Sequence, residues 1–262
     1  MGTAGMWDGL VVTMSAEEFD QWYADWVESP IVDELVQRVL GLPPELQSTS
    51  LLGGRGLEEV VAALGMQAGQ VLLDLACGRG GYGLDIARRS GARVVGVDFS
   101  AVAIGQAQRQ AQALGLADRA DFRVGELTGT GLSAASVDAA LVVDAIQFAE
   151  SPVDALQECR RVLVPGGRVV ITCWEALDAT DERLPRLRKV DLLNQLPLAG
   201  FVDVEVTEKP GWRALERELW DAALAIEAGD DLAVQSMQDE AREVLASFDG
   251  ARRVLATATA SG

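Results

Sequence analysis

The stretch best equipped for chemistry in this chain is a glycine-rich turn with a carboxylate downstream. Residues 71–83 read V-L-L-D-L-A-C-G-R-G-G-Y-G, and Gly78, Gly80 and Gly83 satisfy the spacing G-x-G-x-x-G. Glycines directly after a short apolar run let the backbone turn sharply and let a ligand come close to the peptide groups. On its own the match is weak, because glycine-rich turns are common. Asp98 strengthens it: it follows the next apolar run, Arg93 to Val97, 18 residues after Gly80. A carboxylate there can accept hydrogen bonds from both hydroxyls of a ribose. Turn and acid together point to an adenosine-containing ligand. The competing reading is that Asp98 merely caps the following helix.

What the chain lacks is equally informative. It contains no histidine, which removes the commonest general base and the commonest metal ligand together. Cys77, Cys159 and Cys173 are an odd number without paired spacing. Neither a disulfide framework nor a metal site is expected, and a reduced, cytoplasmic compartment suits them. No basic stretch followed by an apolar run opens the chain, so no signal peptide is expected. The formal charge of −18 disfavours nucleic acid and anionic membrane surfaces, which are bound through Lys and Arg. No apolar run approaches the roughly 20 residues needed to span a bilayer. A small uncharged or cationic molecule is the expected partner, unless the charge serves solubility alone.

The turn needs a scaffold, and the surrounding pattern supplies one. Short apolar strands at Val71–Leu75, Arg93–Val97, Ala120–Val124, Val137–Val143 and Arg168–Cys173 alternate with helices at Tyr82–Arg89, Ala101–Leu114 and Pro152–Val162. Nearly all-apolar strands separated by helices predict a parallel sheet covered on both faces. Before it, residues 1–14 show no periodicity. Ser15 and Glu18 form a capping box for a helix carrying Phe19, Trp22, Tyr23 and Trp26 at three- and four-residue spacing. Two more helices follow, Ile31–Leu40 (apolar at Ile31, Leu35, Val36 and Val39) and Leu57–Leu64. After the sheet, Phe201–Val206 alternates like a strand, residues 212–248 read as helical, and Val254–Ala258 closes as a strand. At 262 residues, 49% of them hydrophobic, the chain fits one domain with caps. The expected plan is an N-terminal helical lid (about 15–64), a core sheet (about 70–206 plus 254–258) and a helical insertion (about 212–248).

Four segments together resemble the class I S-adenosylmethionine-dependent methyltransferases, in the branch that serves bacterial natural-product pathways. D-L-A-C-G-R-G at residues 74–80 is similar to the family's first motif, with Ala76 where glycine is usual, a change small enough to be harmless. Val95 to Ser100 resembles the second motif. Arg123 to Leu127 resembles the third, with Glu126 where Asp is commoner. Arg161 to Arg168, containing Pro165-Gly166-Gly167, is similar to the turn into the fifth strand. The resemblance covers residues 71 to about 175 and implies a Rossmann-like seven-stranded α/β sheet, mostly parallel with the last strand antiparallel.

The resemblance also implies contacts. Asp74 and the backbone at Ala76, Gly78 and Gly80 would hold the methionine part of S-adenosylmethionine, and Asp98 its ribose. Phe99 would lie against the adenine, Glu126 would accept from its amino group, and the Leu127 backbone would meet the ring. Asp144 would sit beside the methionine amine and the methyl. Methyl transfer to a small metabolite, leaving S-adenosylhomocysteine, is the implied reaction. Similar enzymes often carry a His just after the fourth strand; here Gln147 stands in that stretch and cannot act as a base. Asp144 is the carboxylate available for that role, although an orienting role suits it better. Gln147 and the aromatic residues Trp22, Tyr23, Trp174 and Trp212 (with Trp26 and Trp220) are candidates to line an apolar or aromatic acceptor's pocket, unless the aromatic residues are simply packing. Two rivals remain: a nicotinamide-type nucleotide binder, opposed by Asp74, the Pro-Gly-Gly turn and the tail, and a protein that binds the cofactor without methylating. Neither the methylated atom nor the oligomeric state is legible.

Overall fold

The computed structural model describes residues 20, 29–43, 45, 46 and 50–262. The capping box at Ser15 and Glu18, and the aromatic residues Phe19, Trp22, Tyr23 and Trp26, lie outside the described residues. Seven strands form one sheet: β1 (Val71–Leu75), β2 (Arg93–Asp98), β3 (Ala120–Val124), β4 (Val137–Val143), β5 (Leu163–Ala176), β6 (Phe201–Glu208) and β7 (Ala251–Ala260). Their order is β3-β2-β1-β4-β5-β7-β6. β7 runs antiparallel to both its neighbours, and the other pairings are parallel. This is the expected Rossmann-like, mostly parallel sheet.

Alternation along each strand decides which helices cover which face. Leu72, Leu141 and Val170 point into the core that takes in α1 (Pro30–Leu40), α2 (Gly54–Leu64), α7 (Pro210–Leu224) and α8 (Leu232–Ser247). Leu73, Val142 and Ile171 point the other way, against α5 (Pro152–Val162) and α6 (Leu192–Leu198). α3 (Gly81–Ser90) and α4 (Ala101–Ala113) cover β2 and β3 through Leu84, Ile104, Ala107 and Phe122. Both faces are buried, which is why the strands carry so few polar residues.

Local chemistry sets the element ends. The Ser100 hydroxyl accepts from the Ala103 N–H at 3.0 Å and starts α4. Ser151 does the same for α5, with Pro152 at the first helical position, where a missing N–H costs nothing. The expected helical insertion is two helices. Gly229 (φ 52) turns the chain between them, and Asp231 accepts from the N–H groups of Ala233 and Val234 to open α8. In α1 the buried stripe is Val32, Leu35, Val36 and Leu40, while Ile31 is exposed; Leu35 and Val36 are as expected, and Val32 and Leu40 take the places of Ile31 and Val39. β5 and β7 are both longer than expected, and they pair from Arg168↔Thr259 to Ala176↔Ala251.

Candidate active site

The register aligns the strand ends that carry the candidate residues. Asp74 lies beside Gly96 of β2 and Leu141 of β4. The carboxyl ends of β1, β2 and β4 therefore lie side by side at the edge where open α/β sheets bind ligands. From β1 the chain turns through Ala76 (φ 59), Gly78 (φ 50) and Gly80 (φ 78), all left-handed. Glycine adopts this region freely; for alanine the Cβ crowds the carbonyl at a cost of roughly 1–2 kcal/mol. Ala76 is therefore not a neutral replacement for glycine, although its size alone suggests so. A Cβ on Gly80 would stand 2.9 Å from Phe122 and 3.0 Å from Ala107.

The third glycine of the spacing serves Asp74. The Gly83 N–H donates to Asp74 Oδ2 at 3.1 Å, and a Cβ on Gly83 would fall 2.5 Å from that oxygen. Burial pushes the Asp74 carboxyl up to about 7, opposed by the Gly83 bond and reinforced by the nearby charge of Asp98. Asp98 accepts from the Gly78 N–H at 2.8 Å through Oδ2 and from the Ser100 N–H at 3.0 Å through Oδ1. Its carboxyl is raised chiefly by burial, with Asp20 adding to the shift. Since Ser100 is the residue that caps α4, Asp98 is not needed as the cap. It clamps the glycine turn to the tip of β2.

Asp20 lies against the same tip, accepting from the Ser100 hydroxyl and from the Val102 N–H at 3.2 Å. The Gly125 N–H donates to the Asp98 carbonyl at 3.0 Å, which brings the tight 126–129 turn alongside. In that turn Glu126 is exposed and Leu127 half-buried, and Phe99 is half-buried next to Asp98. Asp74, Ala76, Gly78, Gly80, Asp98, Phe99, Glu126 and Leu127 thus gather at one edge. Two desolvated carboxylates at a glycine-rich turn suit a ligand bringing positive charge and hydroxyl donors.

Asp144, with φ 54, ends β4 in a different setting. Its carboxylate takes both oxygens' worth of contact from Arg253 Nη2, at 2.8 and 2.6 Å. It also accepts from the Thr172 hydroxyl at 2.7 Å, the Ser50 hydroxyl and the Leu51 N–H at 3.3 Å. A carboxylate has about four lone-pair positions, and these donors fill them. That occupancy argues against the base role for Asp144. Gln147, fully buried, donates from Nε2 to the Asp144 carbonyl at 2.7 Å, while its Oε1 is buried without a hydrogen-bond partner among the described residues.

The aromatic candidates separate. Trp174 faces Arg253 across the β5–β7 pair, its ring 3.8 Å from the guanidinium carbon, and its Nε1–H donates to Glu216 at 2.7 Å. Trp212 instead packs over Gly56 of α2 and donates to Glu59 at 3.2 Å. It joins α7 to α2, the contacts of a packing residue. Trp220 is buried, with Nε1 3.4 Å from Glu216. Trp22 and Tyr23 lie outside the described residues. Sequence reasoning missed Arg253, Glu216 and Asp20. The Arg252-Arg253 pair directly before an apolar run was the available signal for Arg253.

Residues 73–171 match a family model described as a methyltransferase domain. A sterol 24-C-methyltransferase of Saccharomyces cerevisiae is 31% identical over 144 residues, covering 53% of this chain and 38% of the yeast protein. The chain thus spans well under half the length of that relative. Among solved structures, the [4+2]-cyclase SpnF aligns with TM-score 0.75 at 23% identity, covering 94% of this chain and 96% of its own. Geranyl diphosphate C-methyltransferase from Streptomyces coelicolor A3(2) aligns with TM-score 0.67 at 20% identity, covering 94% and 97%. At these identities the structural likenesses establish the fold.

Proposed function

We propose that this chain, whose residues 73–171 match a methyltransferase-domain model, is a class I enzyme that moves a methyl group from S-adenosylmethionine to a small, apolar or aromatic metabolite. The observation that carries the reading is the clamp of Asp98 on Gly78 beside buried Asp74. It puts a diol acceptor and a second carboxylate within one turn of each other. The bound cofactor would supply a methyl carbon already activated by its sulfonium. The chain's own residues then bind and orient. Asp98 takes the ribose hydroxyls, Asp74 and the turn backbone hold the amino-acid end, Phe99 covers the adenine, and Glu126 and the Leu127 backbone read its edge.

Alignment of acceptor and methyl in a dry cavity can supply on the order of 7–11 kcal/mol of barrier reduction. Carboxylates near the sulfonium favour the bound ground state, because its charge disperses during transfer. With Asp144 held by Arg253, the proposed scheme uses no side-chain base at that position. It suits an acceptor whose nucleophile needs no deprotonation before attack. No described helix is long and apolar enough to cross a membrane, and three free cysteines agree with a reduced, cytoplasmic setting.

Calorimetric titration tests the binding half. S-adenosylhomocysteine is expected to bind and NAD not to bind, and Asp98→Ala is expected to weaken the former at least tenfold. Loss of a charged partner costs about 1.5–3 kcal/mol. An unchanged dissociation constant would remove Asp98 from the site. A second reading is a cofactor-binding protein that catalyses a rearrangement without methylating. It is favoured by the fold match to a protein described as a [4+2]-cyclase and by the lack of histidine. Production of S-adenosylhomocysteine across an acceptor panel separates the two.

A further inference from the structure

Beyond the cofactor edge, a cavity of about 410 Å³ opens between the tip of β5, the 183–187 loop and the last two helices. Its size lies in the range of small-molecule sites. Trp174, Leu184, Leu187, Val244, Phe248 and Ala251 give it a mainly apolar wall, and Glu216 stands in that wall. Arg183, Arg186, Arg213 and Glu243 also border the cavity; Arg183 pairs with Asp181, Arg213 with Asp249, and Arg186 lies over the Phe148 ring. The border therefore carries both signs of charge around the apolar wall.

Glu216 distinguishes this cavity from a packing defect. It is 3% exposed, and Oε2 accepts from Trp174 at 2.7 Å while Trp220 and Arg253 stand at the longer distances of 3.4 and 3.5 Å. Three donors, two of them long, leave a carboxylate with acceptor capacity to spare. The same Arg253 guanidinium that reaches Glu216 through Nη1 holds Asp144 through Nη2. Glu216 is thus one guanidinium away from the tip of β4, beside the proposed cofactor edge.

We propose that this cavity receives the methyl acceptor, and that the acceptor is a neutral, largely apolar molecule with one hydroxyl or amine donor directed at Glu216. The proposal rests on the methyltransferase reading above. The apolar wall selects the body of the ligand, and the spare capacity of Glu216 fixes its orientation. Leaving a buried carboxylate lone pair without a donor is costly, so a matched ligand without a donor is discriminated against.

The probes are 2-naphthol and 2-methoxynaphthalene, which share a ring system and differ in the donor. They are titrated by fluorescence into the full-length protein, with S-adenosylhomocysteine titrated by calorimetry in parallel. Saturable one-site binding of 2-naphthol is expected, with the methoxy compound at least fivefold weaker. Ala246→Trp, at an exposed position bordering the cavity, and Val244→Trp are expected to weaken both probes at least tenfold, with S-adenosylhomocysteine affinity within twofold of wild type. If Val244→Trp does not fold, Ala246→Trp decides. No saturable binding, or probe affinity unmoved by the folded variants, overturns the cavity as the site; equal affinity for the two probes overturns the donor requirement. Failure of the cofactor reading looks different: S-adenosylhomocysteine does not bind the wild type, while probe binding persists.

Discussion

Arg253 reaches both carboxylate oxygens of Asp144 through one nitrogen, at 2.8 and 2.6 Å, from a residue 109 positions away in sequence. Arg253 is fully buried, faces Trp174 across the antiparallel pair and has Glu216 on its other side. One buried cation therefore joins the last strand, the insertion helix and the end of β4. The arrangement gives Asp144 a structural task that competes with any role in proton transfer.

A double-mutant cycle measures that task. Asp144→Asn and Arg253→Met are each expected to destabilise the fold by about 3–5 kcal/mol, the usual cost of stranding one member of a buried pair. The double variant is expected to lose much less than the sum. Urea denaturation at neutral pH reads all three. Additive losses would show that the two side chains are not energetically coupled. A general base would instead show a single-turnover rate lowered about 10²–10⁴-fold in Asp144→Asn, which this geometry argues against.

Ala76 offers the opposite sign of effect. Held at φ 59, it is expected to gain on replacement by glycine: Ala76→Gly relieves roughly 1–2 kcal/mol of left-handed strain. Glycine's greater freedom in the unfolded chain returns about 0.4–1 kcal/mol of this. A net rise in thermal midpoint is the expected outcome. A lower midpoint would mean that the Ala76 methyl contributes packing that outweighs the strain.

How far the site was legible follows from where its partners lie. Asp74, the glycine turn and Asp98 are close in sequence and sit at strand ends, so spacing alone brings them together. Asp144 was legible as a residue, but its partner was not, because Arg253 belongs to a strand whose pairing is long-range and antiparallel. Its charged side chain, with that of Arg252, also made β7 read as starting three residues late, at Val254 and not Ala251. α6 was missed for a different reason: Leu192–Leu198 is a seven-residue helix with Pro197 inside it, too short to show helical periodicity. Trp212 and Trp174 were equivalent as aromatic residues; only the packing of α7 on α2 tells them apart.

Asp74 predicts a pH dependence. Its folded-state pKa of about 7 lies above the ordinary 3.8, so the folded chain keeps a proton that the unfolded chain releases between those values. Its contribution to stability therefore falls as pH rises from about 3.8 to 7 and stays at its lowest above that. Asp74→Asn is expected to stabilise the protein more at pH 8 than at pH 5, in chemical denaturation at both. Binding runs the other way. The ammonium group of S-adenosylhomocysteine meets an ionised Asp74 more often as pH rises from 6 to 7.5, so affinity is expected to increase over that interval in wild type and to flatten in Asp74→Asn. Parallel pH profiles in the two proteins would separate Asp74 from the ligand's charge.

Arg79 couples the N-terminal helix α1 to the glycine turn. Arg79 stands between Gly78 and Gly80, is 4% exposed, and pairs with Asp33 of α1 at 3.0 Å. Its Nε is buried without a partner among the described residues, and the Asp33 contacts at 3.0 and 3.3 Å hold the guanidinium in place. The buried arginine thus ties the glycine turn to α1, and α1 in turn rests on α7 and α8. Asp33→Asn removes the charge but keeps an acceptor. Cofactor affinity is then expected to fall by about fivefold to thirtyfold, in line with roughly 1–2 kcal/mol lost from a weakened charge-assisted bond. Arg79→Met removes the cation altogether and is expected to erase the effect of Asp33→Asn in the double variant. If calorimetry finds S-adenosylhomocysteine affinity equal in wild type and Asp33→Asn, α1 is a neighbour of the turn and not a determinant of its geometry.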